Sequence, residues 1–156
     1  MKKIVVLSTI ILFTACKSHQ KPEQSKAFAY ELIAQSTLHG NGAEGFKPGL
    51  YKIIDKKQWQ DFLQKINKVN DESRKFKIDK IDFDKYIIVA IFDKIIGHGG
   101  VKFYIDKVEN TPDAIKFITT HQSPQGQMSI QVMNQPYIIV KIKKTDKRLG
   151  LVNIKP

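Results

Sequence analysis

Tyr86–Phe92 (YIIVAIF) is seven apolar residues in a row between polar stretches. An uninterrupted run of this length predicts a strand buried on both faces, near the middle of a sheet. Tyr137–Ile142 (YIIVKI) is a further short segment near the C-terminus, just after Gln135-Pro136. Other segments alternate. Val101, Phe103 and Ile105 are interleaved with Lys102, Tyr104 and Asp106, and Ile115, Phe117, Thr119 and then Met128, Ile130, Val132 show the same period of two. Such segments predict half-exposed strands. Leu50–Ile54 and Leu149–Ile154 are further short strands. Ala27–Ser36 is compatible with strand or helix, and the strand-rich pattern downstream favours strand. One stretch has the helical period instead. Asp55 stands as an N-cap with Gln58 three residues on, the spacing of a capping box. Trp59, Phe62, Leu63 and Ile66 come next at i, i+3, i+4 and i+7. They predict an amphipathic helix of about three turns whose aromatic residues face the core.

Glycine, proline and polar clusters punctuate these elements. His39–Gly45 holds three glycines, Gly97-His98-Gly99-Gly100 interrupts the chain after the long apolar run, and Asn110–Asp113 and Ser123–Gly126 are turn signals. Asn67–Lys80 is polar and charged and serves as a connection. The short strands after the helix, separated by turn-length breaks, imply antiparallel meander pairing. The expected fold is a single α+β domain: an antiparallel sheet of about five to seven strands with one main amphipathic helix packed on it.

The first residues obey a different logic. Met1-Lys2-Lys3 is a basic start, Ile4–Thr14 is largely apolar, and Ala15-Cys16 closes the run. This is the layout of an exported signal, and it is too short to span a bilayer, which takes roughly 20 apolar residues. Cys16 is the single cysteine of the chain. Phe13-Thr14-Ala15-Cys16 resembles the bacterial lipobox, which implies cleavage before Cys16 and fatty acylation (palmitate among the chains) of its sulfur. Several acyl chains at ~0.8 kcal/mol per buried methylene give a stable membrane anchor. An ordinary secretory signal with Cys16 as a bystander is the alternative. Residues 1–15 thus read as a lipoprotein signal peptide, 16–27 as a lipidated polar tether, and 28–156 as the globular domain. Lys17 comes after the cysteine, where an Asp would resemble an inner-membrane retention signal. In a Gram-negative cell this points to the outer membrane, on its periplasmic side or at the surface.

The 156 residues make one domain at ~150 residues per domain. They are too few for a cofactor enzyme with separate nucleotide and substrate halves. A lone cysteine leaves no disulfide framework and no Cys-x-x-Cys metal site. The formal charge is +11; loss of residues 1–15 removes two lysines and no acid, leaving 24 basic against 15 acidic residues, or +9. Export excludes nucleic acid as the natural partner. Only Arg74 and Arg148 are arginine, and the lysines are dispersed, whereas phosphate and base recognition favours bidentate arginine. A solvated lysine surface is the plain interpretation, and attraction to anionic headgroups or envelope polymers the functional one.

Three stretches in order, Ile81–Phe92, the Gly97–Gly100 loop feeding an alternating strand, and Gln135–Ile142, resemble the protease complex subunit PrcB family and its C-terminal domain. The Gly-rich loop at 39–45 and the Trp59 helix belong to the same likeness, which covers roughly residues 28–145. Members of that family are secreted or lipid-anchored, and its name comes from a lipoprotein that associates with a surface protease and supports its stability or maturation. The resemblance implies a non-catalytic, protein-binding accessory role with an exported partner, a protease being the expected class. The family's loop is usually Thr-Gly-Gly-Tyr; here His98 and Val101 replace its outer residues and Gly99 and Gly100 are kept.

No catalytic, cofactor or metal residues are assigned. His19, His39, His98 and His121 include no i, i+4 or His-x-His pair. No Gly-x-Ser-x-Gly is present, and Ser123 and Ser129 lie in or beside a turn without a marked base. Asp82 and Asp84 would share a face of an extended chain, but acids before a buried strand usually cap or solubilise. Tyr137 is expected to pack with its hydroxyl in water. The candidate protein-binding loop is Gly97, His98, Gly99 and Gly100, where glycines permit close approach to another surface; a plain turn is the alternative. Three further functions remain open: a protease inhibitor using the Gly97–Gly100 tip, a hydrolase whose site assembles in space from the named His or carboxylate groups, and a binder of anionic envelope polymers.

Overall fold

The computed structural model describes residues 28–78, 80–122 and 131–153. They form an α+β fold with seven strands and one α-helix, in the order β1 (Glu31–Leu38), β2 (Gly49–Ile53), α1 (Lys56–Ile66), β3 (Tyr86–Phe92), β4 (Lys102–Asn110), β5 (Ala114–Gln122), β6 (Gln135–Lys143) and β7 (Arg148–Asn153). A short 3₁₀ helix at Glu72–Lys75 lies in the polar connection after α1.

The strands divide between two sheets, where the alternation had suggested one. The first has the order β1-β6-β3-β2 and the second β4-β5-β7. The cause is visible in the residues. Ile88, Ala90, Phe92, Tyr137 and Ile139 face a core completed by Phe46, Phe62 and Ile66 on the helical side. Ile87, Val89, Ile91, Ile138, Val140 and Ile142 face the other way, onto Phe103, Ile115 and Phe117 of the second sheet. β3 and β6 are therefore central and covered on both sides, while β4, β5 and β7 have one apolar face each. The layers run helix, four-stranded sheet, three-stranded sheet.

The expected meander holds for the β4–β5 hairpin, whose Asn110–Asp113 turn is closed by the Thr111 amide donating to the Ala114 carbonyl at 2.8 Å. It fails elsewhere. β6 inserts between β1 and β3, and β7 pairs parallel with β5. A two-face-buried strand must occupy the middle of a sheet whatever its place in the chain, and that requirement overrides sequential pairing. The expected strand at Met128–Val132 falls mostly outside the described residues; Gln131, Val132 and Met133 are irregular.

The α1 expectation is met in detail. Asp55 has extended backbone and its Oδ1 accepts from the Gln58 amide at 2.8 Å. Gln58 Oε1 accepts in turn from the Ile54 amide at 3.1 Å, one residue earlier than the usual reciprocal bond. Phe62 and Ile66 are buried, and Trp59 stacks on Phe62 with centroids 5.5 Å apart and leans on Phe76.

Candidate functional site

The strand registers bring several connections to one end of the four-stranded sheet. Leu38 at the end of β1 pairs with Gln135 at the start of β6, Phe92 at the end of β3 pairs with Tyr137, and Gly49 at the start of β2 pairs with Phe92. The segments 39–48, 93–101 and 131–134 therefore gather there. The first two abut directly. Gly42 has φ +82°, a left-handed conformation that favours glycine, and a Cβ on it would lie 2.7 Å from Ile95 Cδ1, which would have to move aside.

Asn134 and Gln135 tie the loops together. Ile96 and Asn134 exchange both backbone hydrogen bonds, at 2.8 and 2.9 Å, and Asn134 Nδ2 donates to the His98 carbonyl at 3.0 Å. Gln135 Nε2, fully buried, donates to the Asp93 carbonyl at 2.8 Å and the Phe46 carbonyl at 3.1 Å. One amide thus fastens both loops to the start of β6. Pro136 occupies the second position of β6, and its carbonyl accepts from the Asp93 amide at 3.0 Å. Within the candidate loop, Gly97, His98 and Gly100 are exposed and Gly99 is half-buried; Gly100 takes a positive φ of 82°. The tip is presented outward while the backbone carbonyl of His98 is held from beneath.

Behind the loops, Asp93 is buried and its Oδ2 lies 2.5 Å from His121 Nε2. The His121 ring stacks on Phe103 with centroids 5.1 Å apart. The pair joins the end of β3 in the first sheet to the end of β5 in the second. Glu44, in the first loop, is also buried: Oε1 accepts from the Gly40 amide at 3.1 Å, and Oε2 has no hydrogen-bond partner.

The other residues singled out in the sequence lie elsewhere. His39 is exposed. Asp82 and Asp84 are not on an extended chain: Asp82 Oδ1 accepts from the Asp84 amide at 3.1 Å and Oδ2 pairs with Lys85 at 2.8 Å, closing a turn before β3. The Lys85 ammonium keeps the Asp82 carboxyl below its usual value. The Tyr137 hydroxyl is not in water. The residue is completely buried and donates to Glu72 Oε2 at 3.0 Å, the carboxylate itself held at 2.8 Å by Lys75. A polar segment 65 residues away reaches over the sheet to meet it, which no local pattern signals. Cys16, His19, Ser123 and Ser129 lie outside the described residues. Among the described residues, no group of three or more His, Cys, Asp or Glu side chains is placed to hold a metal ion.

Asp93, His121, Asn134 and Gln135 do not stand out as a unit in the sequence. Asp93 and His121 are 28 residues apart, and each is unremarkable in its own segment. The one available signal is a polar Asn-Gln pair leading straight into the largely apolar segment Pro136–Ile142. Comparison with protein-family models, with curated proteins and with solved structures yields no match to this chain.

Proposed function

We propose that the chain is a lipid-anchored accessory protein of the bacterial cell envelope, acylated at Cys16, that binds an exported protein through its loop end and stabilises or regulates it without transforming a substrate. The observation that carries this reading is the N-terminal pattern, a basic start and an apolar run ending at the single cysteine. The abutting loops at 39–48 and 93–101 support it by supplying one preorganised outward face, and preorganisation lowers the ordering cost of association. The resemblance to the PrcB family makes an exported protease the expected class of partner.

Mass spectrometry of the membrane-extracted protein tests the anchor. The expected result is a chain beginning at an acylated Cys16, with the Cys16→Ser variant losing the acyl mass and leaving the membrane fraction. An unmodified Met1 start overturns it. Photocrosslinking tests the face: a probe at His98 captures a protein that a probe at Asp84, at the opposite end of the sheet, does not. A second reading uses the same tip as a protease inhibitor, favoured by the exposed Gly97–Gly100 backbone held by Asn134. In that case His98→Ala together with Gly99→Ala abolishes inhibition of a sensitive protease.

A further inference from the structure

The charges at the loop end are sorted by sign. The segments 39–48, 93–101 and 131–134 contain two carboxylates, Glu44 and Asp93, and both are buried, at 1% and 3% exposure. Their lysines, Lys47 and Lys94, are exposed, as is Lys102 at the start of β4. Two apolar side chains of these segments are also exposed, Ile95 at 38% and Met133 at 47%, and a Cβ on Gly97 would lie 3.7 Å from Met133 Sδ. The opposite end is different. There exposed acids are present and pair with lysines, as in Lys57–Asp61 at 2.7 Å and Lys85–Asp82 at 2.8 Å, while Lys52 and Lys144 donate to the Thr145 and Phe83 carbonyls.

We propose that this end docks an acidic segment of a partner polypeptide with an apolar side chain at its centre. Ile95 and Met133 receive the apolar group, and Lys47, Lys94 and Lys102 face its carboxylates. This deepens the accessory reading by giving the partner a chemistry, and it rests on that reading for the choice of a polypeptide over lipid. The described chain begins at Phe28, three residues before Glu31, which pairs with Lys141 at the far end of β6. Eight residues of β1 at about 3.3 Å each separate that end from the loops by roughly 25 Å. The chain preceding the described residues therefore enters β1 at the end away from the cationic loops. Charge complementarity of this kind sets partner choice and association rate, and it weakens as salt screens it.

The test is selection from a random peptide library on the full chain held in discs of uncharged lipid, against a Lys47→Glu, Lys94→Glu, Lys102→Glu variant with an unchanged melting curve. The expected result is recovery of peptides rich in Asp and Glu around an apolar residue. Their affinity falls at least tenfold between low and high salt, and at least tenfold on the variant. Recovery of nothing, of peptides without acidic enrichment, or of peptides that bind the variant equally overturns the proposal. Binding of phosphatidylglycerol vesicles without acidic-peptide selection overturns it in favour of lipid, and dimerisation lost in the variant overturns it in favour of a second copy. An acylated Cys16 alongside any of these failures removes this proposal and leaves the accessory reading standing.

Discussion

Tyr137 keeps its hydroxyl inside the protein, on a carboxylate that is itself buried. Burial, and then the neighbouring Glu72 charge, raise the Tyr137 hydroxyl above its ordinary value near 10. In the unfolded chain the phenol ionises around pH 10, whereas in the fold it retains its proton. The stability linked to this group is thus complete below about pH 10 and declines as pH rises beyond it. Tyr137→Phe is expected to cost about 1.5–3 kcal/mol at neutral pH, the range for a bond to a charged acceptor. It is also expected to flatten the alkaline part of the stability curve relative to the parent, as read by denaturant unfolding between about pH 8 and 11. Glu44 gives the opposite sign. Its Oε2 is buried without a partner, so Glu44→Gln removes a buried charge while keeping an acceptor for the Gly40 amide. The melting temperature of that variant should match or exceed the parent's, whereas Glu44→Ala also loses the loop-closing bond and should be less stable by about 1 kcal/mol, read as a lower melting temperature.

At the scale of elements, α1 joins the sheet through one cap and one buried stripe. Asp55→Ala should destabilise by about 1 kcal/mol, and Phe62→Ala by about 3–5 kcal/mol, both measurable as shifts in the denaturation midpoint with little change in slope. These two features are readable in the sequence because cap and stripe are local, set by spacings of three and four residues. The same holds for β3, whose unbroken apolar run marks a central strand, and for the 110–113 turn. The split into two sheets is not readable. Alternation in β4, β5 and β7 shows that one face is buried but not against what, and the cover is the far side of β3 and β6. The Asn134–Gln135 tie is equally silent, because the carbonyls it holds, on Phe46, Asp93 and His98, are spread over distant loops and are backbone groups that any sequence carries.

On the scale of the whole molecule, the two sheets meet across an apolar interface pinned at the loop end by Asp93 and His121. A double-mutant cycle with Asp93→Ala and His121→Ala should return a coupling of about 1–2 kcal/mol, since both groups are largely shielded and in direct contact. A coupling near zero would assign the join between the sheets to Phe103, Ile115 and Phe117 alone. The order β1-β6-β3-β2 also has a consequence in time. Among the described residues β1 is hydrogen-bonded only to β6, so the first of these strands made by the ribosome waits for nearly the last, and β3, already paired with β2, gains its second neighbour at the same late point. Non-local pairing of this kind is slow to form. A nascent chain of this topology has no finished four-stranded sheet until residue 143 has emerged, so for almost the whole of its synthesis the apolar faces of β1 and β3 lack the neighbour they share.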